Sequence, residues 1–421
     1  LIIFRLAWRS LLNRRLTALL TILAIALSVT LMLGVEKTRV GTKNGFLNTI
    51  SGTDLIIGAR AGAVQLLLYA VFRIGDATAN ITWETVGDIK SRPEVAWVVP
   101  IALGDSHKGF RVMGTSKAYF EHYRYRRQQA LQFATGKPFD DLYDAVLGHH
   151  VAKALGYDLG ANIIVSHGAG RVSFGNDHAN KPFRVVGILK PTGTPADRTI
   201  HISMRAIEAI HVGWESGAAP RAGSQPNAEA VRQLDLAPKS ATALFIGLKS
   251  RMMTFSLQRW VNNYPEEALS AVLPGVAFGQ LWRILKNVEI ALLMISAMVV
   301  FTAILGMVIS VLGSLNERRR EMAILRSIGA RPWHIFGLLL SEAVVLVIAG
   351  SVLGTASVYL FLWAGQSTIE NATGLYLHLD VLNINELYLL LCIILGGTIA
   401  AILPALRAYY LSLSDGLVMR T

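Results

Sequence analysis

Eight of the ten histidines stand between His107 and His211, and they are the residues best equipped for chemistry. Imidazole serves both as a metal ligand and as a general base. Asp105 and His107 are two residues apart, so a strand would carry both on one face. His167 with Asp177 or His178 is spaced to meet across a turn. Structural zinc asks for more, usually Cys and His ligands in closely spaced pairs. The chain has one cysteine, Cys392, and no such spacing. His107, His167 and His178 are therefore weak metal candidates, ordinary surface histidines are the plainer reading, and no cofactor is assigned to this chain. The neighbours Ser106–His107 and Ser166–His167 do not pair a nucleophile with a base, because adjacent strand residues face opposite ways. No nucleophile elbow occurs. A phosphate-cradling Gly-x-x-x-x-Gly-Lys-Ser/Thr loop is also missing from the sequence, since Gly136-Lys137 is followed by Pro138. The expectation is a chain without catalysis of its own.

A second constellation is cationic. It reads Glu317, Arg318, Arg319, Arg320, Glu321, Met322, then Leu325, Arg326, Ile328 and Gly329. Ser314 and Glu317 have capping-box spacing, which predicts a helix starting there. Met322, Leu325 and Gly329 share a helical face, with Ile328 close by. Gly329 can end the helix in a left-handed conformation, and Pro332 prevents its resumption. A charged helix with an apolar strip suits docking onto a partner. Its charge alone favours a positive-inside anchor with no partner.

These segments need elements to hold them. Of 421 residues, 52% are hydrophobic and 16% charged, whereas soluble domains average about a quarter charged. The apolar excess collects in four runs near the 20 or so residues that a membrane crossing needs. They are Leu16–Val35, 288–312, 335–364 and 387–406. The first is longer than the apolar core of a cleaved signal peptide and is read as a span. Glu342 is the charge within the third. Gly350 and Gly354, like Gly397 and Ala401, permit close helix approach. Arginines precede the first run, crowd residues 313–334 and follow the fourth, whereas 365–386 carries acids only. Both termini and the 313–334 segment are therefore expected in the cytoplasm. The same arginines account for much of the net charge of +12, so no nucleic-acid partner is inferred. Residues 1–15 mix apolar residues with arginine and read as an amphipathic helix in the headgroup layer of the membrane lipid.

Residues 37–287 have ordinary soluble composition. Strands are predicted at Asn162–Ser166, Phe183–Leu189 and Ala243–Leu248, and helices at Lys117–Ala134, Tyr143–Leu155 and Met252–Asn263. Gly213–Lys239 reads as a surface loop. Ala63–Ile74 is nearly all apolar but too short to span, so it is a buried core helix or an apolar docking surface. The fold class is membrane α-helical, with four transmembrane helices and an α+β extracytoplasmic domain inserted between the first and second.

The cationic segment is similar to the coupling helix of MacB/FtsX-type ABC transporter permeases. Val146-Leu147-Gly148, Gly156, Gly160 and Phe183–Leu189 resemble the outer-domain signature of that family. Glu342 with Gly350 and Gly354 resembles its third span, and Pro404-Ala405 with Arg407-Ala408 its last. Residues 52–68 and 192–214 depart from the pattern, as does the tail, where Leu413 and Asp415-Gly416-Leu417 replace the usual Pro and Glu-Ala-Leu-Arg. The resemblance implies an amphipathic helix at 1–15, a first span with its stalk at 16–36, and a periplasmic domain at 37–287. Spans at 288–312, 335–364 and 387–406, a coupling helix at 313–334, a periplasmic loop at 365–386 and a cytoplasmic tail at 407–421 complete it. It further implies a bacterial inner-membrane permease that transmits motion from two copies of a separate ATPase, which would bind ATP and Mg. A second permease copy, most simply a homodimer, and a periplasmic or lipoprotein partner follow from the same resemblance. The competing reading is a membrane-anchored binding or signalling module that works without an ATPase.

Overall fold

The computed structural model describes residues 10–12, 14–126, 128–168, 178, 180–213, 226–317, 319–373 and 382–410. Side chains at 44, 46–48, 314, 316, 317, 319, 320, 367 and 369–373 fall outside that description. So do most of the 1–15 stretch, Asp177, residues 214–225, and the tail from Leu411. The chain forms two units. Leu1–Gly41, Lys286–Ser367 and Leu377–Thr421 make one, and Thr42–Leu285 with Thr368–Tyr376 the other.

The first unit is built on four long helices, Arg15–Asn48, Pro274–Glu317, Pro332–Thr373 and Ile384–Tyr410. Each carries a stretch long and apolar enough to cross a membrane, and each contains one of the predicted runs. In lipid a helix satisfies every backbone group internally, which is why such segments take no other form alone. Leu27, Met298 and Phe361 are exposed, as lipid-facing side chains are. Ile25, Val29, Leu33, Met307, Leu339, Val347 and Ala405 form the packed interior.

The second unit is centred on a mixed, largely antiparallel sheet. Its strands pair in the order Leu269–Val272, Leu55–Ala59, Ala243–Leu248, Val95–His107, Phe110–Thr115, Thr199–Ser203, Asp144–Leu147, Phe183–Leu189 and Phe133–Gly136. Ser166–His167 adds to the far end of Val95–His107, and Asn162–Ile163 to Phe183–Leu189. Two neighbouring pairs are parallel, Phe110–Thr115 with Thr199–Ser203 and Asp144–Leu147 with Phe183–Leu189. Helix Met204–His211 starts directly from a strand end, where Ser203 accepts a hydrogen bond from Ala206 N at 3.0 Å. That cap fixes where the helix begins, and so where His211 ends it.

Ala63–Ile74 packs into the core through its middle, with Ile74 left exposed. Helix Ala63–Leu67 continues as a π-helical turn over Leu68–Phe72, burying Leu66, Leu67, Tyr69, Ala70 and Val71. Four sequence expectations need correction. Within Gly213–Lys239, read as a surface loop, Ala228–Arg232 is a helix and Val231 and Leu236 are buried in the core. Lys117–Ala134 is helical only over Ala118–His122 and then turns into short strands. Arg126 and Gln128 take positive φ there, and Tyr119, Phe120, Tyr123 and Tyr125 are drawn into the core; aromatic residues favour a pleated, half-buried setting. Tyr143–Leu155 is a strand, Asp144–Leu147, followed by a helix, His149–Leu155. A short apolar run buried on both faces does not reveal its period. Asn162–Ser166 is not one strand but two short ones, Asn162–Ile163 and Ser166–His167. The predicted strands Phe183–Leu189 and Ala243–Leu248 are observed, and the Met252–Asn263 helix begins as a 3-10 turn before Thr254–Asn262.

Candidate functional site

Between the second and third long helices lies a separate nine-residue helix, Arg319–Ser327. The predicted capping box is not its start, because Ser314 and Glu317 lie inside the last turns of the helix Pro274–Glu317. The preceding apolar span carries that helix past Ser314, overriding the local cap. Arg318 lies outside the described residues, as do the side chains of Glu317, Arg319 and Arg320. The far end is as expected. Gly329 has φ 103°, Ala330 N–H donates to Leu325 O at 2.9 Å and Gly329 N–H to Arg326 O at 3.0 Å. This is the Schellman pattern, which needs a residue without Cβ at the positive-φ position. Pro332 then opens the next helix, and His334 Nδ1 accepts from Arg331 N–H at 3.1 Å, closing that helix start.

The apolar face differs from the one read from spacing. Met322 is 6% exposed and packs into the span interior, and Leu325 is half-buried. Ile324 (48% exposed) and Ile328 (79%) stand out instead, with Glu321 one turn before Ile324. Ile324 was missed because the sequence does not say which flank of a short helix the neighbouring spans cover.

In the span unit, Gly350 and Gly354 meet the first helix. A Cβ at Gly350 would lie 2.7 Å from Ile25 Cβ, and one at Gly354 2.6 Å from Ala26 O and 2.7 Å from Val29 Cβ. Thr30 Oγ1 donates to Gly354 O at 3.1 Å across the same contact. Gly397 of the fourth helix meets Val347 of the third, and Ala401 is buried nearby in the same packed interior. Glu342 is buried, 6% exposed, within the third helix. A charged group not anticipated from sequence ties the helices together. Lys37 Nζ lies 3.1 Å from Glu386 and over the Tyr359 ring, while Arg39 bonds Glu36 and reaches Glu289 at 2.5 Å. These contacts join the first helix to the second, third and fourth.

The histidines of the second unit fall into distinct settings. His107 is buried, with Nδ1 2.6 Å from Ile164 O and Nε2 3.0 Å from Tyr157 Oη. His201 is buried against Tyr119 and Phe120, and burial followed by the nearby Arg73 charge pushes it down to about 3. His167 and His178 come together, as the sequence allowed; Asp105 joins them rather than its expected strand neighbour His107, and His211, which spacing did not single out, completes the group. One ligand atom from each of the four lies within 4.8 Å of the others. Asp105 sits at a register break in its strand between Leu103 and Ser106, directly opposite His167. Such a bulge re-aims a side chain, and Asp105, Ser106 and His107 are all buried in consequence. The signal for His211 was its place at the end of a helix that starts from a core strand. Burial, then the charge of His167, pushes the His178 imidazole down to about 4.

Residues 18–234 match the family described as MacB-like periplasmic core domain, and residues 293–413 the FtsX-like permease C-terminal family. Among solved structures, the chain is similar to the extracellular domain of the noncanonic ABC-type transporter YknZ from Gram-positive bacteria. Identity is 14% and the TM-score 0.31, covering 52% of this chain and 98% of that one. It is also similar to the periplasmic region of MacB from Actinobacillus actinomycetemcomitans, at 11% identity and TM-score 0.34, covering 56% and 95%. No curated protein sequence matches it.

Proposed function

This chain belongs to the MacB/FtsX-type permeases, and on that premise we propose that it is the permease subunit of an ATP-driven ABC transporter in a bacterial inner membrane. A separate cytoplasmic ATPase, present in two copies and holding ATP and Mg, would close on nucleotide binding. The helix Arg319–Ser327 would carry that motion into the spans, and the spans would carry it to the periplasmic domain. The work done there would be export of a periplasmic molecule, release of a lipoprotein, or activation of an outer partner. A paired ATPase calls for a paired permease, most simply two copies related by a two-fold axis. Such a machine needs an element with two arrangements that nucleotide biases.

The observation that carries this reading is a discrete, sharply capped helix that keeps two isoleucines exposed. An anchor held only by its arginines has no use for Ile324 and Ile328 at the surface. On a partner, each would bury apolar area worth about 1.5–3 kcal/mol. The intended experiment is co-purification of the ATPase with full-length permease, together with the permease's stimulation of ATP turnover. Ile324→Asp places a charge in the contact and is expected to release the ATPase or abolish stimulation. Leu325→Asp, half-buried, should do the same with some loss of folded protein. Gly329→Val, which opposes the positive-φ turn, should uncouple without altering the outer domain. Wild-type association and turnover in Ile324→Asp would reduce the segment to a membrane anchor.

A further inference from the structure

We infer that Asp105, His167, His178 and His211 form a binding site for a divalent transition metal of the zinc class in the outer unit. The four residues come from separate places in the chain. Asp105 is on the strand Val95–His107, His167 on the strand paired with it, His211 at the end of helix Met204–His211, and His178 lies further along the chain than His167. Three imidazoles and one carboxylate are the donor set that a tetrahedral zinc ion takes, at about 2.0–2.2 Å from each ligand. Ligand atoms around such an ion stand about 3.3 Å apart. Here Asp105 Oδ1 lies 2.9 Å from His167 Nδ1 and 3.8 Å from His211 Nε2, which brackets that value. All four ligand atoms lie within 4.8 Å of one another, so closing on an ion brings them together by about 1 Å.

The orientation of the rings agrees. His211 Nδ1 is 2.7 Å from Ile207 O, a carbonyl that can only accept, so Nδ1 carries the hydrogen and the Nε2 lone pair faces the cluster. This is the outer bond that metal-ligating histidines characteristically make. The 2.9 Å approach of His167 to Asp105 is not an aligned hydrogen bond, although the carboxylate is only 2% exposed. A buried carboxylate needs a cation. Three imidazole rings gather around this carboxylate, with centroids 4.6–6.0 Å apart. A single divalent ion uses all four groups. The nearby Lys181 does not fill that role, because its ammonium donates to Ala209 O, Ile210 O and Val212 O at the helix end. Asp105 and His178 are buried while His167 and His211 are half-exposed, which gives the site a floor and an entrance.

The test uses the full-length chain in detergent, carrying no polyhistidine tag, stripped with chelator and then titrated with zinc against a chromophoric competitor. About one zinc per chain is expected, with a rise in melting temperature as the bound state is filled. Cobalt in place of zinc should give the intense visible bands of a tetrahedral ion. Asp105→Asn and His211→Ala should each weaken zinc by more than the 10–100-fold that loss of a mere orienting partner costs. His122→Ala and His107→Gln, which remove histidines outside the four, should leave stoichiometry unchanged. Should a ligand variant fail to fold, judged by near-ultraviolet circular dichroism, the wild-type cobalt spectrum decides alone. Folded wild-type protein that binds no zinc at micromolar concentration overturns the site. Zinc that binds equally to the folded Asp105→Asn and His211→Ala variants overturns it too.

Discussion

Lys37 and Glu386 show how much can rest on one pair of residues. Both are nearly out of solvent, with side chains 9% and 4% exposed, and they lie 3.1 Å apart. Glu386 has a second task, since its other oxygen accepts from Asn383 N–H at 3.1 Å and so closes the start of the fourth helix. Removing one partner of a buried pair leaves an uncompensated charge, at a cost of about 3–5 kcal/mol. Lys37→Met is therefore expected to lower the melting temperature of the purified protein sharply. Lys37→Met combined with Glu386→Gln should recover much of the loss, because the stranded charge is gone. Equal destabilisation in single and double variants would mean that the pair contributes nothing. None of this pairing was legible from the residues. Lys37 reads as the first charge of a soluble domain and Glu386 as one acid in a polar loop; only the packing of the first helix beside the fourth joins them.

At the scale of elements, the glycines of the third helix were legible and so was their purpose. Gly350 and Gly354 are one helical turn apart, and both face the first helix at distances no side chain tolerates. In lipid, where apolar surface gains nothing by leaving the solvent, close backbone approach is what holds helices together. Gly354→Leu should drive the first and third helices apart. The readout is disulfide trapping between cysteines placed on those two helices in a Cys392→Ala background. Trapping should fall in the Gly354→Leu protein and persist in Val352→Leu, whose side chain is exposed. Unchanged trapping in Gly354→Leu would show that the contact tolerates bulk. The short helix Arg319–Ser327 was legible in its end but not its beginning. Gly329 states its own backbone requirement, whereas the run from Ser314 to Glu317 satisfies a helix start and a helix interior alike. The same ambiguity made Asp144–Leu147 look helical, since a strand covered on both faces shows no alternation.

For the molecule as a whole, the arginine distribution makes a prediction about sidedness. With Cys392→Ala as background, a cysteine at Lys153 should react with an impermeant reagent from outside intact cells. One at Ser327 should react only after the inner membrane is opened. Reaction at Ser327 from outside would reverse the proposed orientation and remove the ATPase from reach. Four apolar runs, the charge asymmetry, the family and the segment proposed to couple all follow from the sequence by itself. Each rests on a property that a run of residues carries without a partner: length against bilayer thickness, charge at a flank, a glycine's positive φ, a motif's order. The face that the coupling helix presents, the salt bridges among the spans, and the company that His167 keeps were decided by tertiary structure. Asp105 and His211 are 106 positions apart in the chain, and neither is near His178 in sequence. A bulge and a helix cap bring them to one point, and no local spacing records a meeting arranged by the path of the sheet.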